Sequence, residues 1–323
     1  MIYRLFQINK PIVLTLLPII CLGLWFPSII SDGQKIFFEK YSLLQFYDSL
    51  PISLSQFLAI LIILITAVLI SFTINGSELF TKNQYLPSIL YVLIMSSINE
   101  HHVLNPIVIA NLFIVLSIYF VFQIYRQVPC KNLIFKSTCL ILIASIFYYP
   151  YLPLFPLPWV VLSIIRPFET REWLMPIVGL ILVVFYLLLF EKMSSETFNF
   201  QNFNYFFNRN ILSFKFTYIL KIIIGLLSFG LCYSLLKLFK LNAKSTNRFR
   251  KLSLILFFVF VLFLTIATIN YFYYLNMSII ILLFAIPVSY ILPFSLVHLK
   301  KKWLSEIYLS SVFFLIFYHL IFL

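Results

Sequence analysis

Residues 55–74 read SQFLAILIILITAVLISFTI, a stretch without a single charged side chain. About 20 mostly apolar residues in a helix span the hydrocarbon core of a bilayer, so this stretch predicts a transmembrane helix. Seven further apolar runs of similar length predict the same structure: 11–31, 106–125, 173–190, 216–236, 252–270, 277–297 and 303–323. The chain is therefore predicted to be an all-α, polytopic integral membrane protein.

The composition indicates the same class. Of the 323 residues, 63% are apolar and only 10% are charged, whereas a soluble domain has about 25% charged residues. So few charges exclude a cytoplasmic enzyme, a nucleic-acid-binding domain and a disordered tail. The net charge of +13 is ascribed to basic loops between the apolar runs, where the positive-inside rule places them, and we expect no nucleic-acid partner.

The segment 84–98 is apolar but short for a bilayer. The loop 75–82 before it and the basic loop 126–136 after the next helix are both expected on the cytoplasmic side. The chain between these loops must then cross an even number of times. We therefore predict that 84–98 is a crossing, paired with 106–125.

The segment 137–165 includes the proline-rich sequence YYPYLPLFPLPW, and proline breaks a continuous helix. Irregular backbone at membrane depth is tolerated only where it is buried in protein or lines a cavity, so we expect a cavity here. The basic loops 126–136 and 166–172 flank the segment, and we place both on the cytoplasmic side. This parity predicts either a re-entrant hairpin or two short helices, at 137–149 and 151–165.

These assignments give about eleven transmembrane helices, with the N-terminus inside. The chain is expected to be one transmembrane domain over 1–323, without a separate soluble domain. Its larger outer loops are 32–54, with an amphipathic surface helix, and 191–215. In this orientation all but six of the 23 Lys and Arg residues lie inside; the six are Lys35, Lys40, Lys192, Arg209, Lys215 and Lys221.

Two carboxylates in the first outer loop are candidates for catalysis. Asp32 directly follows the first apolar run, and Asp48 lies in the same loop. An outward-facing carboxylate could act as a general base. The alternatives are a solvated helix end for Asp32 and a turn before Pro51 for Asp48.

Two further groups of outer residues are candidates for phosphate or substrate binding. Glu100, His101 and His102 offer one carboxylate and two imidazoles, which could bind a divalent cation or a phosphate. Arg209 and Lys215 could bind an anionic lipid head group. The alternatives are a polar turn for the first group and plain solvation for the second.

On the inner side, residues 166–173 read RPFETREW. Arg166, Arg171 and Glu172 carry the charge of this loop, and Trp173 fits an interfacial anchor. The loop is either a docking site for a membrane-protein partner or a charged turn between two membrane helices.

Residues 83–173 resemble an uncharacterised family of bacterial polytopic inner-membrane proteins. The resemblance rests on LPSILYVL, NPIVIANLF, IASIFYYPYL and a W…IIRPF..REW ending, found here at 86–93, 105–113, 143–152 and 159–173. It implies a multi-pass membrane protein and no particular activity.

The layout is also similar to that of the GT-C class of glycosyltransferases, which use polyprenyl-phosphate sugars. The shared features are an inside N-terminus, a first outer loop with an acidic residue and a surface helix, and a short outer loop after the third helix. The resemblance implies that Asp32 or Asp48 is the catalytic carboxylate and that Glu100 contributes to a metal site.

Three functions remain open at this stage: a transferase acting on a lipid-linked sugar, a non-catalytic subunit of a cell-envelope assembly, and a lipid or small-molecule transporter. With only six glycines and no Gly-rich phosphate loop, we expect no nucleotide or flavin cofactor. A divalent cation is the cofactor left open, and membrane lipids are the expected partners.

Overall fold

The computed structural model describes residues 3, 6, 11–30, 50–80, 82–126, 129–193, 218–243, 245–274, 277–299 and 301–322. Within these ranges the regular structure is entirely helical, with short 3-10 segments at Pro11–Thr15, Asn99–His101 and Tyr149–Leu154. The α-helices described are α1 Leu16–Ile30, α2 Ile52–Ser77, α3 Leu86–Met95, α4 Pro106–Gln123, α5 Lys131–Phe147, α6 Leu157–Ile165, α7 Thr170–Trp173, α8 Met175–Met193, α9 Tyr218–Asn242, α10 Asn247–Tyr274, α11 Met277–His298 and α12 Lys302–Phe322.

Eight helical stretches among the described residues are long and apolar enough to cross a bilayer. They are Val13–Ile30, Ile52–Ser77, Pro106–Gln123, Thr170–Leu189, Tyr218–Asn242, Asn247–Tyr271, Ile279–His298 and Lys302–Ile321. Each coincides with one of the eight long apolar runs of the sequence, so the prediction of a multi-pass helical membrane architecture is confirmed.

The region of 137–165 is divided by its prolines into separate helical segments. The helix α5 starts at Lys131, six residues before the predicted start, and the 3-10 segment joins it to α6. Tyr148 anchors this joint by donating a hydrogen bond to Asn270 Oδ1 at 2.6 Å, and Tyr151 donates one to the Asn111 side chain. Both tyrosines are fully buried, so the joint is packed into the bundle.

The helix α11 lies at the centre of the bundle, where it packs against α3, α9 and α10. Within its membrane-length window 89% of the residues are buried. Proline removes a backbone donor, and α11 contains Pro287 and Pro293. Beside Pro293, the Ser234 hydroxyl of α9 donates to the Ile291 carbonyl and accepts from the Ser295 N–H at 3.2 Å. A side chain of α9 is thus inserted into the backbone of α11.

Helix α12 approaches α9 closely at a glycine. A Cβ atom at Gly230 would overlap the hydroxyl of Tyr308. That hydroxyl donates to the Leu226 carbonyl oxygen at 3.0 Å. Gly230 therefore provides the space in which Tyr308 reaches the backbone of α9.

Helix ends with basic side chains meet at one end of the bundle, which we call the basic end. Glu78 follows α2 in the left-handed conformation, with φ 57°. Its carboxylate pairs with Arg126, after α4, at 2.6 Å and with Arg248, on α10, at 2.5 Å. Lys251 also donates to the Ile165 carbonyl at 2.8 Å, so the end of α6 joins the same cluster.

The other end of the bundle, which we call the histidine end, contains His101 and His102. There Gln56 of α2 donates to the Ser28 carbonyl of α1 at 3.2 Å. Asn99 donates to the Leu320 carbonyl of α12 at 3.3 Å. The ends of α1, α2, α3 and α12 therefore lie together.

Candidate functional site

A buried hydrogen-bonded network organises the histidine end. The Trp25 indole N–H donates to Ser96 Oγ at 2.9 Å. The His102 ring stacks on this indole, with ring centroids 4.3 Å apart and planes 9° apart. His102 Nε2 lies 3.2 Å from the Ser96 carbonyl oxygen, and Nδ1 lies 2.8 Å from Ser28 Oγ.

The partners of His102 determine its tautomer. A carbonyl oxygen only accepts, so Nε2 carries the proton and Nδ1 accepts. The single Ser28 hydroxyl proton can go to Nδ1 or to the Trp25 carbonyl oxygen, which is also 2.8 Å away. Both ring nitrogens of His102 therefore lie against protein groups, and Nδ1 accepts a hydrogen bond only while the Ser28 hydroxyl points at it.

Burial keeps both histidines uncharged. It lowers the pKa of His102 to about 4, because the charged form is disfavoured away from water. Burial, assisted by His102, lowers the pKa of His101 to about 3. At neutral pH the two side chains are neutral packing groups.

The contacts of His102 restrict the cation-binding and phosphate-binding roles that the sequence suggested for residues 100–102. Because Nε2 lies against the Ser96 carbonyl and Nδ1 against Ser28 Oγ, a metal ion could reach either nitrogen of His102 only by displacing a protein group. Across the described part of the chain, no three His, Cys, Asp or Glu side chains are grouped so as to hold a metal ion. The backbone of Glu100 lies in the 3-10 segment, but its side chain falls outside the described residues.

The remaining outer candidates stay predictions. Asp32, Asp48, Arg209 and Lys215 all lie outside the residues that the structure describes, as does most of the predicted surface helix in 32–54. The structure therefore brings His101 and His102 together at one end of the bundle and does not address the other four.

The inner loop RPFETREW is anchored within the molecule. Arg166 pairs with Glu172 at 3.3 Å, and the same Glu172 oxygen accepts the Cys130 N–H at 3.1 Å. Glu172 is only 1% exposed. Trp159 donates to the Trp173 carbonyl at 2.9 Å, which fixes the end of the loop against α6.

The anchoring divides the four docking candidates into two kinds. Arg166 and Glu172 face each other inside the protein, and Trp173 is half-buried. Arg171 is exposed, as is Phe168, whose side chain is 69% accessible. Of the four docking candidates, only Arg171 is therefore available to a partner, together with exposed neighbours such as Phe168.

The sequence reasoning missed a groove elsewhere in the bundle. A half-open cavity of about 320 Å³ lies between α9, α10 and α11, and its walls are apolar. Representative lining residues are Leu231, Cys232, Leu235, Phe260, Leu264 and Phe284. At the proline-rich joint, where a cavity was expected, Tyr148 and Tyr151 are fully buried.

The sequence contains a signal for this groove. The small residues Gly225, Ser228 and Cys232 follow one another at intervals of three and four, which places them on one face of α9. Small side chains leave space beside a membrane helix. The eleven-helix interpretation treated this helix as an ordinary span and did not use the pattern.

The groove lies in the half of the bundle nearer the histidine end. It includes Ile94, two residues before Ser96, and Ile280, near the start of α11. Lys221 occupies the same face of α9, one turn beyond Ile224. Its ammonium lies 5.4 Å from the centre of the Tyr218 ring, and its side chain is exposed.

The helices and their apolar surfaces define the class of this chain, an all-helical multi-pass membrane architecture. Comparison with protein-family models, with curated proteins and with solved structures gave no match.

Proposed function

We propose that this protein binds the hydrocarbon chain of a lipid-linked substrate in the groove between α9, α10 and α11, and that it acts on the head group at the histidine end. The observation that carries the proposal is the apolar, half-open groove of about 320 Å³. A polar solute would lose its hydration there without compensation, whereas a hydrocarbon chain fits such walls.

The proposed orientation places the basic end in the cytoplasm of a bacterial cell, with eleven crossings of the inner membrane. Contacts among helix ends support this arrangement. Glu78, Arg126 and Arg248 bring three helix ends together, and Arg166 reaches the Ile124 carbonyl at 3.2 Å. The short helices α3, α5 and α6 are then additional crossings beside the eight long ones.

Charge near the groove favours an anionic head group. Apolar contacts alone give little net gain when a lipid chain leaves the bilayer, because lipid is equally apolar. Selectivity must therefore come from the head group. Lys221 is one helical turn from Ile224 of the groove lining, and Arg209 and Lys215 precede it in the chain, which suits a phosphate-bearing lipid.

The chemistry we propose is a transfer of the GT-C kind. Asp32 or Asp48 would take a proton from the acceptor hydroxyl as that oxygen attacks the sugar. The departing lipid phosphate would be stabilised by the basic groups near the groove. A divalent cation is compatible with this chemistry and is not required by it.

Lipid binding is tested by filling the groove. Ser228→Trp places a large ring in it, and Phe229→Trp is a matched control because Phe229 is 74% exposed on another face of α9. A photoactivatable polyprenyl phosphate should label the wild type and Phe229→Trp but not Ser228→Trp. Equal labelling of both variants would contradict the proposal.

Catalysis is tested separately. Asp32→Asn and Asp48→Asn should each be inserted normally and keep the photolabel. At least one of them should abolish transfer of the sugar from the lipid. If both retain full transfer, the catalytic assignment fails while the lipid site stands.

A second candidate function is a non-catalytic subunit that docks a cytoplasmic partner through Phe168 and Arg171. It is favoured by the exposure of these two side chains on a loop that is otherwise anchored. Arg171→Glu should release the partner during purification from native membranes. Reversal of Arg166 is a poor test, because it breaks the internal pair with Glu172.

A further inference from the structure

A layer of polar side chains crosses the middle of the bundle, away from the lipid groove. It contains Thr66 and Thr73 of α2, Tyr91 of α3, Asn111 of α4 and Tyr290 of α11, all fully buried. Tyr151 joins them by donating to Asn111.

Two hydroxyls in this layer are unsatisfied by protein groups. Tyr91 and Tyr290 are each 0% exposed, and neither hydroxyl has a hydrogen-bond partner among the described residues. Tyr91 lies beside Thr66 and Asn111, and Tyr290 lies beside Thr73, without a hydrogen bond of normal geometry. Burying such a group without a partner is costly, and buried polar groups in proteins almost always find one.

The layer is next to a small polar cavity at the basic end. This cavity has a volume of about 10 Å³ and includes Thr73, Ser77, Gln123 and Arg126 in its lining. Such a volume accommodates about one water molecule when several polar groups surround it. Phe122 also lines the cavity and packs edge-on against the Tyr290 ring, with centroids 6.3 Å apart.

We propose that these groups form an aqueous inlet: water enters from the basic end beside Arg126, binds at Thr73 and satisfies the hydroxyls of Tyr290 and Tyr91. The inlet ends at Asn111 and Tyr151, whose hydrogen bond to each other closes the layer. The ligand of this site is water, and the inlet is separate from the lipid groove on the other side of α11.

The first test measures water access by cysteine labelling. In a background with the native cysteines replaced, Thr73→Cys is compared with Ile74→Cys, which is equally buried on the same helix. The probe is the hydroxyl radical, generated from water by X-ray pulses in membrane vesicles, because a radical of this size forms wherever a water molecule is bound. A thiol beside bound water is oxidised by the radical that forms there, so Thr73→Cys should be oxidised about tenfold faster or more than Ile74→Cys. Equal rates would overturn the inlet.

The second test uses the sign of a stability change. If Tyr290 is hydrated, Tyr290→Phe loses a water-mediated hydrogen bond and the Tm should fall, as it should for Tyr148→Phe, which loses its bond to Asn270. If Tyr290 is dry, removing the unpaired hydroxyl should raise the Tm. A rise for Tyr290→Phe together with a fall for Tyr148→Phe would overturn the proposal at Tyr290 even if the variants fold well.

Discussion

The two ends of the bundle are held together by different chemistry. At the basic end, ionic contacts converge on Glu78 and Glu172. At the histidine end, neutral groups donate and accept hydrogen bonds around a stacked Trp25–His102 pair. The basic end is therefore stabilised by charged side chains, whereas the histidine end is stabilised only while its histidines stay uncharged.

The buried ion pair at the basic end should give the largest effect. Arg166→Met leaves the Glu172 carboxylate without its cation in a site that is 1% exposed, which costs about 3 kcal/mol of unfolding free energy or more. The measurement is chemical unfolding in detergent. Arg171→Met is the control, because this exposed arginine lies on the same loop and should have little effect.

The double variant Arg166→Met/Glu172→Gln tests whether the cost comes from the unpaired charge, because the amide keeps an acceptor for the Cys130 N–H. Replacing both partners removes the charge as well as the pair, so most of the loss should be recovered. A double variant as unstable as Arg166→Met would contradict this account.

The histidine end should respond to acid. Burial lowers the pKa of His102 from 6.5 to about 4, so as the pH falls the unfolded chain binds a proton before the folded one. Stability is then full above about pH 6.5 and declines toward about pH 4, by up to about 1.4 kcal/mol per pH unit. Unfolding measured across this pH range checks the expectation.

His102→Phe tests whether His102 causes the loss of stability at acid pH. The variant keeps an aromatic ring beside Trp25 but removes the titrating group. It should be less stable at neutral pH, because Ser28 loses a partner, yet its stability should depend less steeply on pH. His101 retains its own acid response in the same direction. An unchanged slope would show that His102 does not contribute.

The exposed pairs of Glu78 should give the smallest effect. The Glu78 side chain is 62% exposed, and exposed ion pairs contribute about 1 kcal/mol or less. Glu78→Gln should therefore lower stability slightly at low salt and hardly at all at high salt, because salt screens exposed charges. A large loss that persists at high salt would contradict this account of the Glu78 pairs.

The sequence was sufficient for the long helices because a run of about 20 apolar residues has few other structural solutions. It was less informative for α5, whose first turns carry Lys131 and Lys136 and were assigned to a loop. Hydropathy does not reveal that these residues continue a helix. The boundary consequently differed by six residues.

The candidate sites show a clearer limit. Residues 166–173 were singled out from the sequence, but their spacing does not reveal that Glu172 turns inward to the Cys130 N–H. The neutral contacts of His102 with Ser28 and Ser96 are equally invisible, since they join positions far apart in the chain. The small residues on one face of α9 signal the groove, but its shape depends on how three helices diverge, and no single helix encodes that geometry.

The Ser234 side chain inserted into α11 has a mechanical consequence. One hydroxyl group of α9 accepts from the Ser295 N–H and donates to the Ile291 carbonyl of α11, so a single side chain couples two of the helices that bound the groove. Replacing Ser234 by an apolar residue would remove both contacts at once. The packing of the groove walls and the backbone beside Pro293 therefore depend on the same oxygen atom.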